Sequence, residues 1–193
     1  MTRMHSERGQ SLIEFSFFLP IMLVVVFGVV ETAYALLDQH VVTKVTREGS
    51  NLISRDTTIE DAVNAMRNME LRPVNFDDNS RMIFSVIKKG ATTGTNNYDQ
   101  HILYQRHAFG SLTGVTSTIE TAGLGSFRPG PDFEANNSDT DAGLQILNMP
   151  DDVDLVRGGM LYVTELYTRH IRITPLDRFG IMMPDILYSV AYF

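Results

Sequence analysis

Hydrophobic and polar positions are spread unevenly along the chain, and the longest apolar stretch lies near its start. From Phe15 to Val30 sixteen residues run without a charge, F-S-F-F-L-P-I-M-L-V-V-V-F-G-V-V. Extending through Leu37 gives 23 residues interrupted only by Glu31. That is ~34 Å of helix, against a bilayer core roughly 30 Å thick. Twelve of the sixteen are Leu, Ile, Val or Phe, which favours insertion by roughly 4–7 kcal/mol, less what Ser16, Pro20 and Gly28 subtract. The pattern predicts a membrane helix at about 14–37. Two alternatives use the same run: a buried core helix, which ordinarily carries a polar stripe that is missing here, and a cleaved secretory signal, for which Ala33-x-Ala35 is the one candidate site. Arg3 and Arg8 against Glu7 precede the run, whereas Glu31 and Asp38 follow it before Lys44. The positive-inside bias then keeps the N-terminus cytoplasmic and sends the rest outward.

Beyond the run the helical period continues. Tyr34, Leu37, Val41, Val45 and Leu52 predict a narrow apolar stripe opposite Asp38, Lys44 and Arg47, with Gly49 ending or bending the helix. Thr57 with Glu60 reads as a capping box before a short helix whose inner face is Ile59, Ala62, Val63, Met66 and Met69, stopped by Arg72-Pro73. The period then turns to two in Arg81–Lys88, His101–Arg106, Met160–Arg169 and Ile186–Phe193, the first two joined as a hairpin through Gly90–Asn97. Between Ala108 and Gly143 regular pattern fails: six glycines, Pro129, Pro131 and the acids Asp132, Glu134, Asp139 and Asp141 predict a long exposed loop region, with one strand near Val115–Ile119. The expected fold class is α+β, a long N-terminal helix, transmembrane in its first half, packed on an antiparallel sheet. The expected organisation is a basic leader at 1–9, a membrane and spine helix at 10–55, and an α+β domain at 56–193.

Composition narrows the chemistry. The 193 residues are 44% apolar and 20% charged, with net charge −7, mean hydropathy −0.04 and pI about 5.1. An acidic chain lacks the concentrated basic surface that nucleic-acid binding requires. With no cysteine, thiolate metal sites, thiol nucleophiles and disulfides are excluded. The histidines at 5, 40, 101, 107 and 170 show no H-x-x-x-H spacing and read as surface residues; His101 and His107 share a strand face about 20 Å apart, too far for one metal. Asn137–Gly143 superficially fits a calcium loop, but Ala142 stands where the turn glycine belongs and Asn148 where the bidentate acid belongs, so it reads as a solvated acidic turn. Glu165 and Arg169 read as a strand ion pair. No nucleophile elbow, phosphate loop or dinucleotide fingerprint occurs. No catalytic residue, cofactor or metal is expected, and the chain reads as non-enzymatic.

Glu14 is the exception within the apolar segment, since a carboxylate at that depth is a functional hypothesis by default. A cut after Gly9 would make Gln10 the new N-terminus, with Glu14 one helical turn away. The ammonium of a neighbouring subunit could then pair with this acid, and low dielectric makes such pairing strong.

The Gly9–Gln10 junction, Glu14-Phe15, Leu19-Pro20 and the apolar run with Val25 resemble a class III, prepilin-type signal. The pattern G-x-x-x-x-E-F, then L-P, then F-G-x-x-E fits Gly9 through Glu31, including Phe27 and Gly28, without a gap. In this the segment resembles the TadE-like family of the tight-adherence (Tad/Flp) pilus, minor pilins or pseudopilins. M-L-Y-V-T-E-L-Y-T-R-H-I-R-I-T-P-L also looks like the distal part of such proteins, more loosely. The resemblance implies a pilin-like architecture, cleavage after Gly9 by a prepilin peptidase, retention of the helix in the bacterial inner membrane, and a periplasmic domain. Implied partners are other pilin subunits and the pilus assembly platform. A pseudopilin of a related secretion system, or an anchored periplasmic protein without a pilus role, stands as the alternative.

Overall fold

The computed structural model describes residues 4–55, 57–69, 71–150, 153–180 and 184–193; residues 1–3 of the leader lie outside them. Helix α1 (Met4–Ile53) has 50 residues, ~75 Å. Helix α2 (Ile59–Asn68) follows, then strands β1 (Ser80–Lys89), β2 (His101–Gly110), β3 (Met160–Arg169) and β4 (Ile186–Tyr192). The strands form one antiparallel sheet in the order β2-β1-β3-β4. Fold class is α+β: the distal half of a long apolar helix lies on a four-stranded sheet.

One face of the sheet takes the helices. Met82 and Phe84 of β1, Leu166 of β3 and Leu187 of β4 pack with Val42, Val45 and Ile53 of α1 and with Ile59, Ala62 and Met66 of α2. The buried face of α1 is therefore turned from the predicted stripe. Val45 belongs to both, and Val41 and Leu52 of the stripe pack partly buried at its edge, but Tyr34 and Leu37 are exposed, and Val42, Thr46, Gly49 and Ser50 are the other buried positions. Periodicity of apolar residues misjudged that face because three of its positions are small or polar. Thr46 Oγ1 donates to Val42 O at 2.7 Å, and Ser50 Oγ donates to Ala191 O at 3.3 Å. Their hydroxyls are thus satisfied in the packed layer.

Gly49 does not end α1, which runs on to Ile53. A Cβ there would lie 3.1 Å from Thr164 Cγ2, 3.2 Å from Phe84 Cε1 and 3.3 Å from Met82 Sδ, so the glycine lets helix and sheet approach closely. The cap of α2 also differs from expectation by one residue: Thr58 rather than Thr57 accepts from Asp61 N–H, at 3.1 Å. Met69 lies beyond the helix and stays exposed.

The other sheet face is covered by chain that the sequence pattern assigned to open loops. Ile87 and Val163 pack with Ile119 and Leu161, and partly buried Ile146, Met149 and Leu155 close over them. Ile83 and Tyr167 pack with Leu112, while Ile102 packs with Ala135 and Leu144. No strand forms at Val115–Ile119 among the described residues, and the excursion touches regular structure through isolated bridges to β2 such as Gln105 with Glu134. Its apolar residues are spaced irregularly because side chains on a meandering backbone obey neither period.

The β1–β2 hairpin depends on one glycine. A Cβ on Gly90 would sit 1.8 Å from Asn97 O, and that segment is held elsewhere, because Asn97 Nδ2 donates to Ser138 O at 2.7 Å and to Asp141 O at 2.8 Å. Gly90→Ala is expected to lower stability by about 2–3 kcal/mol, read as an earlier denaturant midpoint, because backbone on both sides must yield. An unchanged midpoint would mean that the hairpin end gives way freely.

Candidate functional site

Gly9 lies in the backbone of α1, and Gln10 and Glu14 follow on an exposed surface one turn apart. Gln10 Nε2 donates to Glu14 Oε1 at 3.0 Å. Further along, Phe15, Leu19, Pro20 and Val25 are exposed, and Phe27 and Gly28 partly so. Pro20 stands inside the helix, where it removes one backbone hydrogen bond. Of the described helices α1 alone is long and apolar enough to cross a membrane, and its most apolar stretch is not buried in the domain. A buried core helix requires that burial, so the soluble-core alternative does not describe this molecule.

The first buried side chain after the apolar run is Glu31, 2% exposed, although Tyr34, Leu36 and Leu37 beyond it are again exposed. Four kinds of donor converge on its carboxylate. Thr174 N–H and Thr174 Oγ1 donate to Oε2 at 2.8 and 2.7 Å, and Ile173 N–H reaches both oxygens at 3.2 and 3.3 Å. His170 Nε2 lies 3.3 Å from Oε1, and His170 Nδ1 lies 2.9 Å from Asp38 Oδ2, two turns further along α1. Carboxylates only accept, so full bonding requires N–H at both ring nitrogens. Helix periodicity brings Glu31 and Asp38 to one side, and the chain leaving β3 supplies the imidazole between them. Gln39 Nε2 adds a bond to Tyr188 O at 3.1 Å. The cluster clamps α1 to the β3–β4 connection at the point where the helix leaves the domain.

Two sequence expectations fail here. His170 is not a surface residue but is 4% exposed, and Asp38 faces the domain rather than solvent opposite it. His170 was missed because a lone histidine carries no period; the only available hint was its place at the end of β3, beside Ile171-Arg172-Ile173-Thr174.

A second polar centre lies on the far face of the sheet. Glu165 is fully buried and does not pair with Arg169. It accepts from Ser117 Oγ, from Thr118 N–H and Oγ1 at 2.7 Å each, and from Tyr188 Oη at 3.3 Å. Ser117 Oγ in turn accepts from Arg106 Nη2 and from Ile119 N–H, both at 3.1 Å. With donation to Glu165 and both lone pairs occupied, that hydroxyl is a fastener rather than a nucleophile. Burial, then the nearby Glu165 carboxylate, pushes the Tyr167 phenol above its ordinary range, while burial draws the Arg106 guanidinium below its own. The network pins residues 117–119 to the sheet. Asn137–Gly143 is likewise tied down, with Asp141 Oδ1 accepting from Gly143 N–H at 2.9 Å. Among the described residues no group of three or more His, Asp or Glu side chains is arranged to hold a metal ion.

Comparison with known proteins gives one result that bears on α1. Residues 9–51 match the family model described as TadE-like protein. No curated protein and no solved structure matches the chain. The matched stretch contains Gly9, Glu14, the exposed apolar surface, the Glu31 clamp and Gly49, and it ends two residues before α1 does. The match is a similarity of the α1 segment to that family and covers no part of the chain beyond it.

Proposed function

We propose, from the TadE-like character of α1 and its bare apolar surface, that the chain is a non-enzymatic, single-pass assembly component of a bacterial Tad-type pilus, a minor pilin or pseudopilin. Prepilin peptidase removes the leader after Gly9, and α1 remains in the inner membrane with its N-terminus cytoplasmic and the α+β domain periplasmic. Gln10–Val30 supplies 21 residues, ~31 Å of helix, which matches a hydrocarbon core. The observation that carries this reading is the division of one continuous helix: an exposed apolar part bearing one acid, then a first buried contact at Glu31, and repeated burial against the domain from Val42 onward.

In assembly the helix leaves lipid for packing against other pilin subunits, guided by the assembly platform. Glu14 then meets the ammonium that processing creates on Gln10 of a neighbour, an attraction that low dielectric strengthens. Gly28, Ala33 and Ala35 permit close helix approach, and the bond missing at Pro20 gives the rod local compliance.

Mass analysis of the N-terminus of membrane-extracted protein tests the first step. A terminus at Gln10 is expected. An intact Met1 terminus would remove the processing step and favour an anchored periplasmic protein without a pilus role.

A further inference from the structure

The chain between β3 and β4 leaves the sheet after Arg169 and rejoins it at Ile186. Through Ile173 and Thr174 it is fixed to the Glu31 carboxylate, which follows directly on the uncharged run of α1 ending at Val30. At that level the loop turns large aliphatics outward: Ile171 is 60% exposed and Ile173 55%. Together with Tyr34 and Leu37 of α1 they line one open groove. Clustered aliphatics of this size on a surface mark an interaction face.

The level decides the occupant. With Gln10–Val30 filling the hydrocarbon, Tyr34 stands ~5 Å above Glu31, inside a headgroup layer roughly 5–7 Å deep. Half-exposed tyrosine at that depth matches the aromatic belt of spanning helices. The charge of the loop is compatible with that depth. Between His170 and Ile186 the sequence carries Arg172 and Arg178 against Asp177 and Asp185, and Arg172 pairs with Asp185 and lies 3.9 Å from Asp177. The loop itself thus adds no net charge beside its two protruding isoleucines, while Asp38, Arg72 and Asp78 line other parts of the groove.

We infer that residues 171–174 at the start of the β3–β4 connection, with the groove beside Tyr34, form a lipid-docking face: Ile171 and Ile173 enter the boundary between headgroups and acyl chains and seat the domain on the bilayer. This rests on the membrane span proposed above. Docking holds the domain at a fixed height until assembly lifts the helix out.

The chain has no cysteine, so single cysteines carry a fluorophore without background. The full chain with Val25→Cys, Ile173→Cys or Leu124→Cys is labelled and reconstituted in phosphatidylcholine vesicles at high lipid-to-protein ratio. The vesicles contain spin-labelled lipid quenching either at the bilayer centre or just below the headgroups. Ile173 and Leu124 side chains are exposed, so both labels are tolerated. The expected result is quenching of about twofold at position 173 by the shallow label, quenching at 25 by the deep one, and none at 124. Quenching at 25 with position 173 behaving like 124 overturns lipid docking and leaves the span standing. No quenching at 25 removes the span, and the docking with it. Quenching at 173 that is absent at first and appears only on further dilution in lipid identifies a second copy as the occupant and also overturns the inference.

Discussion

Glu31→Leu is expected to release the β3–β4 loop from α1 and to destabilise the domain by about 3–5 kcal/mol, the usual loss when one member of a buried charged cluster is removed. The size follows from what remains: His170, Asp38 and the Ile173 and Thr174 N–H groups stay in place without the carboxylate they face, and abandoned buried donors lose their partners without regaining water. Thermal unfolding of the detergent-solubilised chain measures the loss, and limited proteolysis within 171–185 locates it. Glu31→Gln keeps a carbonyl acceptor for Thr174 and should lose less. Glu31→Leu combined with His170→Leu should lose less than the sum of the two single changes, because the ring no longer sits beside a missing acid. A Leu variant within about 0.5 kcal/mol of the parent would refute the clamp, since that is the range of an ordinary surface change.

Glu14→Ala should do the opposite, leaving the subunit sound and the filament absent. Glu14 is exposed on a helix turn and far from the packed domain, bonded to Gln10 within its own helix. Its loss should move domain stability by no more than about 0.5 kcal/mol. In a filament the same acid would sit among helices opposite an ammonium, and removing one member of such a pair is worth about 3–5 kcal/mol, which is on the order of a hundredfold or more in incorporation. Immunoblots of sheared filaments beside membrane fractions give both readouts: membrane level unchanged, filament level down by about that factor. Normal filament levels would remove Glu14 from assembly, while loss from the membrane fraction would make it a stability residue instead.

The parts of this molecule with a strong period were legible in its sequence. The apolar run dictated α1, alternation dictated all four strands, and Ile59, Ala62, Val63 and Met66 dictated α2 within one residue of its cap. Features made by single residues from distant chain were not. His170 joins Glu31 and Asp38 across more than 130 positions, and Glu165 meets Ser117 and Thr118 through a loop with no repeating pattern. The face of α1 was misjudged for a related reason. Close packing there selects Gly49, Ser50 and Thr46, and a search for hydrophobic spacing passes over such residues. Glu31 illustrates both sides: the family-like motif drew attention to it, yet only its neighbours in space reveal what it holds.

Gly49 seats Met82, Phe84 and Thr164 directly against the backbone of α1, so the helix cannot slide one turn along the sheet without driving a larger side chain into the same place. That fixes the register between helix and sheet, and Gly49 lies 35 residues from Glu14 along one continuous helix, or ~52 Å. On the pilin reading proposed above, the repeat of Glu14–ammonium pairs along a filament would carry over to the repeat of the outer domains, softened only by the missing backbone bond at Pro20.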